Sequence, residues 1–442
     1  MDADLPLIIG EVCVDFSLAT TSAPVKMRLG GIAHAARALW ACERPYAVAA
    51  ICPEYLVRQA ESYFRAHGCM DFIVLGRVSG SPNIIVIGDV REIGHQGYED
   101  ILREEKNVTI YDSIERLDAY KEVIIFPGSY DLDFISRKLN VNSSVTIDIA
   151  YDVNDFSQLD CLSGLISTIV ISTSSELFKR ISATDVVPLL DLARVASAKY
   201  LLLKENRGGS RLFSLVDDRV HLIPAVLSET KNSVGVGDAY TAVFGAFYGS
   251  DPFAAALRGM QVATRYAQTT YPDDLKRDVQ RDFQLSIEEI QALGGTCLPW
   301  HHRQSLGIYL AAPDFSYVSK PELDEAISSL EYHNFRVRRP IIENGEAVNT
   351  SSRQELMRFY YKDFELLREC SLVFAVPLMR DPGTLVEIGM AIALGIPVVT
   401  FDPRHENKNT MVMCGSKTYS DDLDICLNEI FDTLSSIAKR AQ

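Results

Sequence analysis

The run Asp381-Pro382-Gly383-Thr384-Leu385-Val386-Glu387-Ile388-Gly389-Met390-Ala391-Ile392-Ala393-Leu394-Gly395-Ile396-Pro397 constrains this chain more than any other stretch. Asp381 can cap a helix start, because its short carboxylate accepts the free N–H groups of a first turn. Pro382 suits the first helical position, where its missing N–H costs nothing. Gly395 can close the helix in the left-handed conformation. Between these ends, positions 385–394 are apolar or small except for Glu387. A helix apolar on every side is expected to be buried. An unpaired carboxylate in such a place is expensive. Glu387 therefore needs either a partner, such as an arginine from elsewhere, or a chemical task. We read the C-terminal region as holding it against a substrate.

The chain has 442 residues, more than one ordinary core, so about two or three domains are expected. It is 47% apolar and 23% charged, as soluble globular proteins are. Its net charge of −16 repels phosphate backbones and anionic lipid, which argues against nucleic acid and membrane as partners. A local basic pocket for one phosphate is compatible with that balance. The nine cysteines are scattered singly, with no C-x-x-C pair. They read as reduced thiols of a cytoplasmic protein and not as a disulfide frame or zinc knuckle. The start MDADLPLIIG has no basic segment or long apolar run, so no signal peptide is expected. No apolar stretch reaches membrane-spanning length.

Apolar runs at 5–16, 46–51, 72–75, 83–87, 123–126, 145–149 and 169–171 alternate with amphipathic segments at 32–42, 54–67, 132–139 and 186–198. Alternation of this kind predicts an α/β fold with a mostly parallel sheet. Residues 200–204 and 211–215 read as a late hairpin. Long helices are expected at 237–248 and 252–269. Residues 273–305 read as a linker, since they combine a charged helical pattern with Gly-Gly, Pro and His-His. Adjacent histidines without nearby carboxylates or cysteines are a weak metal signal. A second α/β unit, 306–442, has strands at 306–312, 335–341, 371–377 and 396–401, and helices at 321–333, 352–370 and 421–440. The expected architecture is two domains, 1–272 and 306–442, the second being a smaller doubly wound parallel-sheet domain.

In the first domain the strongest local signal is Asn232-Ser233-Val234-Gly235-Val236-Gly237-Asp238-Ala239. Glycines permit a tight turn, and a following helix offers N–H groups and positive dipole to a phosphate. Asp238 could take a proton from a substrate hydroxyl, or merely cap its helix. The region 5–270 resembles the ribokinase-like (PfkB) carbohydrate and nucleoside kinases in a G-A-G-D motif before a long helix, an early Gly-Gly and an Asp after strand one. The matching positions are Asp15, Gly30, Gly31, Gly235, Gly237 and Asp238. The resemblance implies a ribokinase-like α/β sandwich, with Asp238 as the base that deprotonates a phosphate acceptor. It places Asp15, Gly30 and Gly31 at substrate and Gly208, Gly235 and Gly237 at phosphate, and it implies ATP and Mg2+ as cofactors. The sequence departs from that pattern. Ala35 stands for an Asn, Thr173-Ser174-Ser175-Glu176 lacks the Asn of N-x-x-E, and the first glycine of a G-x-x-G loop is missing before Gly208. A kinase-derived domain that only binds is the alternative.

The second domain resembles the nucleoside 2-deoxyribosyltransferase superfamily, including its nucleotide N-glycosidases. Ile308-Tyr309-Leu310-Ala311-Ala312-Pro313, Tyr361-Lys362-Asp363-Phe364, Asp381-Pro382-Gly383-Thr384 and Glu387-Ile388-Gly389 match four of its elements in order. An N-glycosidic bond breaks through an oxocarbenium-like state that a carboxylate can stabilise or capture. The resemblance makes Glu387 the nucleophile, Tyr309 its positioner, and Asp363 and Asp381 the groups that hold or protonate the leaving base, with no cofactor required. The plain alternatives are that Asp381 only caps, Asp363 only faces solvent and Tyr309 is ordinary core. Asn409-Thr410-Met411-Val412 resembles an element that reaches across a dimer, which implies a homo-oligomer with Asn409 at substrate. Ser316, Ser319, Arg336, Arg338 and Arg339 are candidates for a phosphate. The expected function is cleavage or exchange of an N-glycosidic bond in a nucleoside or nucleotide. The first domain is then either a nucleoside or sugar kinase or a degenerate ligand sensor that gates the second.

Overall fold

The computed structural model describes residues 5–20, 24–97, 106–112, 117–249, 251–347 and 351–441. Residues 1–4, where the search for a signal peptide begins, lie outside that set. The chain divides into two compact units. The first comprises Met1–Arg91, Gln96–Val226 and Thr230–Gly295, and the second Glu92–His95, Leu227–Glu229 and Thr296–Gln442. No described helix is long and apolar enough to cross a membrane.

In the first unit the described strands form one large mixed sheet. Its order runs Val220–Ile223, Ser210–Ser214, Tyr200–Lys204, Ile166–Ser172, Ser144–Asp148, Glu122–Ile125, Leu7–Ser17, Tyr46–Pro53, Cys69–Ser79 and Asn107–Ile110. The six strands from Tyr200–Lys204 through Tyr46–Pro53 pair in parallel. The hairpin expected near 200–215 is present, with Tyr200 opposite Ser214. Every residue of Tyr46–Pro53 and Ile166–Ser172 is buried, as strands covered on both faces must be. The second half of Leu7–Ser17 leaves the main sheet to pair with Lys26–Gly31 and Ile84–Ile87. This small side sheet brings Arg28 opposite Asp15. The helices Ile32–Ala41 and Val236–Phe247 share a core of Ala33, Ala36, Leu39, Ala239, Ala242 and Val243.

The stretch expected as a linker is folded over most of its length. It carries the helices Pro272–Asp282 and Ile287–Leu293, and both lie in the first unit. The composition misleads because these helices are charged on their outer faces. Leu275 and Val279, one turn apart, join the core with Ala38 and Val262, and Ile290 joins a second cluster with Leu257 and Phe244.

The second unit is a five-stranded, all-parallel sheet in the order Arg336–Arg338, Gly307–Ala311, Leu372–Ala375, Val398–Phe401, Thr418–Ser420. Numbered along the chain this is 2-1-3-4-5, a doubly wound arrangement whose crevice opens between the first and third strands. One face is covered by Pro321–Tyr332 and the closing helix Leu423–Ala441, through Leu323, Ala326, Leu330, Leu427, Ile430 and Phe431. The other face is covered by Arg353–Glu369 and Pro382–Leu394, through Leu366, Leu367, Ile388 and Ala391. The strand expected at 335–341 is shorter, because Pro340 starts the helix Pro340–Asn344.

If the 273–293 helices belong to the first core, Leu275→Ala will destabilise the first unit by about 2–5 kcal/mol, the usual cost of emptying a buried leucine site. Urea unfolding checks this, since a linker residue would leave the transition unmoved.

Candidate active site

The crevice of the second unit collects four of the expected residues. Tyr309 sits in the middle of the first strand, Gly307–Ala311, with its ring wholly inaccessible (0%). Its hydroxyl donates to Glu387 Oε1 at 2.6 Å. Among the described residues no cation pairs with Glu387, so the structural ion pair is not what holds it. Its pKa is raised to about 8, by burial first and then by the charges of Asp363 and Asp381, against the opposing hydrogen bond from Tyr309. The Tyr309 phenol is pushed far above its ordinary value by burial, then by Glu387 and Asp363. The tyrosine therefore keeps its proton and acts as a donor.

Asp381 caps its helix as expected. Its Oδ2 accepts from the Thr384 N–H at 2.7 Å and from the Thr384 hydroxyl at 2.9 Å. Pro382 stands at the first helical position and Gly395 closes the helix at φ 72°. The loop before it is strained. Met379 and Arg380 both have positive φ, 57° and 54°, a conformation that costs a non-glycine residue about 1–3 kcal/mol. A second loop braces it. Met379 N–H donates to the Glu406 carboxylate, Arg380 Nε donates to the Glu406 carbonyl at 2.6 Å, and Asn407 Nδ2 donates to the Pro377 carbonyl. Asp402 anchors that brace by accepting the N–H groups of Glu406 and Asn407 at 3.0 and 2.9 Å.

Asp363 projects from Arg353–Glu369 and accepts from Asn344 Nδ2 at 2.8 Å. Burial raises its carboxyl pKa, with Asn344 and Lys362 opposing. It is thus neither free in solvent nor ion-paired. Asn344 and Asn407 escaped the sequence reading, because each acts on a residue far along the chain and no local spacing marks it. Asn409 is exposed and caps the short helix Thr410–Gly415 through the Met411 N–H at 2.9 Å. Within one chain it makes no bond to Glu387. Of the phosphate candidates, Arg338 is paired to Glu343 and Arg339 grips Asp314 with two bonds of 2.8 and 2.9 Å.

One expectation fails. The helix Pro382–Leu394 is not buried on all sides, since only Thr384, Ile388 and Ala391 are inaccessible. Val386 is 57% exposed, Ile392 39% and Leu394 43%. Its apolar pattern records two faces, one against the sheet and one left bare within a single chain.

In the first unit, Gly235 begins the helix Val236–Phe247 in the left-handed conformation, φ 80°. A side chain there would also collide with the His34 ring, 2.1 Å away. Gly237 faces Lys204 Nζ at 3.1 Å from where a Cβ would stand. Lys204 pairs with Asp148 at 2.5 Å, and Thr241 donates to the same carboxylate. Asp238 makes no hydrogen bond to the described residues. Its pKa is raised to about 7 by burial first, then by Asp148, with Lys204 opposing. Asp15 is buried and already engaged. His34 Nε2 lies 2.9 Å from Oδ2 and Arg28 Nε 3.4 Å. Gly30 is needed beside it, since a Cβ there would fall 1.9 Å from Asp15 Oδ1. Gly31, at φ 59°, starts Ile32–Ala41. Gly208 is buried in the turn Asn206–Gly208, where Asn206 takes the left-handed conformation at φ 53°. Glu176 is exposed and pairs with Lys179.

Residues 308–424 match the family model described as Nucleoside 2-deoxyribosyltransferase. That span contains Tyr309, Asp363, Asp381, Glu387 and Asn409. Among solved structures the chain is similar to an adenosine kinase from Sinorhizobium meliloti (15% identity, 63% of this chain and 99% of that one, TM-score 0.49). It is also similar to a ribokinase from Giardia lamblia (14% identity, 63% and 99%, TM-score 0.47), and to an Arabidopsis thaliana ribokinase complexed with ribose and ATP (14% identity, 64% and 100%, TM-score 0.44). No curated protein matches the chain.

A carboxyl whose folded pKa lies at about 8, above its unfolded value, is protonated in the folded state over a range where the unfolded chain ionises. The stability it gives is present below the unfolded value and is lost as pH rises through about 8. Glu387→Gln removes that penalty and keeps an acceptor for Tyr309. At pH 8.5 the variant should melt several degrees above the parent, and calorimetry at that pH checks it.

Proposed function

We propose that the second unit cleaves or exchanges the N-glycosidic bond of a nucleoside or nucleotide, with Glu387 as nucleophile. The observation that carries this is the 2.6 Å bond from a fully buried Tyr309 to a Glu387 that has no cation partner among the described residues. Tyr309 occupies Oε1 and so leaves Oε2 to the substrate. In the first step Oε2 adds to the anomeric carbon while the carbon–nitrogen bond breaks. The departing base takes a proton from a protonated carboxyl, for which Asp363, its pKa raised by burial, is suited. Water then resolves the glycosyl-enzyme in a hydrolase, or a second base does so in a transferase.

The bare side of the site helix supports a homo-oligomer. Val386, Ile392 and Leu394 are exposed beside Met411 and Met413 of the helix Thr410–Gly415, whose cap is Asn409. An apolar surface of this kind marks an interaction site. A second copy covering it would bring Asn409 to a neighbouring crevice.

For the first unit the reading is ligand binding around Asp15, Gly30, Gly31 and the 232–238 loop, with Asp238 as the candidate base of an ATP- and Mg2+-dependent phosphoryl transfer. An unbonded carboxyl titrating at about 7 suits that task. The engagement of Asp15 by His34 and Arg28 favours the other reading, a sensor that binds without transfer. ATP turnover against a nucleoside panel separates them, because turnover lost in Asp238→Asn removes the sensor.

Glu387→Gln should stop release of free base, followed by chromatography of nucleosides and nucleotides, and undiminished turnover would end the proposal. In the parent, kcat/KM should climb with pH as Glu387 ionises through about 8. Tyr309→Phe removes a bond that favours the charged form and should move this limb upward by about one unit. Asp363→Asn removes the proposed proton donor and should slow base release. Ile392→Glu should shift the chain to a smaller species in sedimentation.

A further inference from the structure

In the second unit a neutral side chain holds Asp363. Asn344 Nδ2 donates to its Oδ1 at 2.8 Å, and no cation pairs with it among the described residues. Asp314, in the same unit, shows what charged partners do. Arg339 bonds to it at 2.8 and 2.9 Å, and Lys320 pairs with it at 2.9 Å. Burial raises the Asp314 pKa, but the two cations outweigh burial and hold the carboxyl below its ordinary value. A neutral amide fixes a carboxyl in direction with a weaker pull on its proton. Burial accordingly keeps the Asp363 pKa raised, with Asn344 and Lys362 opposing.

The sheet sets the place of Asn344. Arg338 ends the strand Arg336–Arg338, opposite Tyr309 in the parallel register. Pro340 then starts the helix Pro340–Asn344, and Gly345 ends it at φ 95°. No residue of that helix is buried, so core packing does not fix it. A clamp does. Arg338 donates to the Glu343 carboxylate from Nε at 2.8 and 3.0 Å and from Nη2 at 2.7 Å, a two-pronged contact that ties the helix end to the strand. Asn344 is the next residue. One register position thus serves both carboxyls of the crevice. Tyr309 reaches Glu387 from it, and Arg338, through Glu343, sets the residue that bonds Asp363. Tyr309 and Glu387 both feel the charge of Asp363.

We infer that Asn344 is a positioning residue for glycosidic cleavage: it fixes Asp363 Oδ1 and so leaves Oδ2 to carry the proton to the departing base. This rests on the reading of Glu387 as nucleophile. An N–H donor at Oδ1 takes up a lone pair there, so the acidic hydrogen sits on Oδ2. As the carbon–nitrogen bond breaks, its electron pair passes to the base. A nitrogen of the base takes the Oδ2 proton, and Asp363 becomes a carboxylate that keeps its bond to Asn344. A hydrogen bond strengthens when its acceptor gains charge. Asn344 therefore acts on the transition state more than on bound substrate.

Steady-state kinetics on the nucleoside or nucleotide that the parent turns over tests this. Asn344→Ala should lower kcat by about 10- to 100-fold and leave KM within about twofold. In an Asp363→Asn background the same substitution should add less than about twofold, because it acts only through Asp363. Asn344→Ala should spare a purine nucleoside methylated at N7, whose base already carries a positive charge and departs without a proton. Glu343→Gln loosens the clamp while keeping Asn344. It should give a smaller loss of the same kind, and it carries the test if Asn344→Ala does not fold. Unchanged kcat would overturn the inference. So would a loss of equal size with and without Asp363, or of equal size on the methylated nucleoside, since either makes Asn344 structural only. Glu387→Gln separates this inference from the reading beneath it. Activity kept in Glu387→Gln ends both, whereas activity lost there but kept in Asn344→Ala ends this one alone.

Discussion

The bond between the Tyr309 hydroxyl and Glu387 Oε1 organises the second unit. A phenol on the middle of a central parallel strand has almost no freedom, because strand and ring are both packed. The carboxylate it holds is on a helix that begins just past the neighbouring strand, where the crevice of a doubly wound sheet opens. Desolvation and two nearby aspartates disfavour the charge on Glu387, and one hydrogen bond offsets only part of that. A group left in this state is stabilised fully when positive charge develops opposite it. The strained pair Met379 and Arg380 belongs to the same construction. Their left-handed turn aims Asp381 at the helix start, and Glu406 and Asn407 hold the turn in place.

The first unit applies the opposite sign. There Asp15 is bound by His34 and Arg28, and burial together with the charges of Arg28 and Arg37 depresses the Lys26 pKa. The antiparallel side strand Lys26–Gly31 makes this arrangement, since its register sets Arg28 across from Asp15. Glycine at position 30 lets the carboxylate press against the backbone, and glycine at 235 admits the His34 ring.

Much of this was legible where the determining interactions are local. The cap at Asp381, the proline after it and the left-handed Gly395 lie within one helix, and the sequence reading placed all three. The parallel strands were legible from their apolar runs. Three features were not. The side strand 26–31 lacks an apolar run, because its residues face a charged pocket. Asn344 and Asn407 act across long sequence separations. The helices at 272–293 present charge outward and bury only Leu275, Val279 and Ile290, so composition suggested a linker where the packing is that of a core.

The bare face of Pro382–Leu394 connects association to chemistry. Val386, next to Glu387 along the helix, is more than half exposed, while the turn beneath packs on the sheet. Val386, Ile392 and Leu394 are apolar side chains on the exposed side of this helix. A second copy covering these side chains, as proposed, would also remove water from the flank of the carboxylate. Lower local polarity strengthens every charge interaction inside the crevice. It would raise the Glu387 pKa further in the empty site and deepen its attraction to a cationic transition state. If the proposed association and chemistry hold, the apolar run around Glu387 sets the surroundings in which that carboxylate reacts.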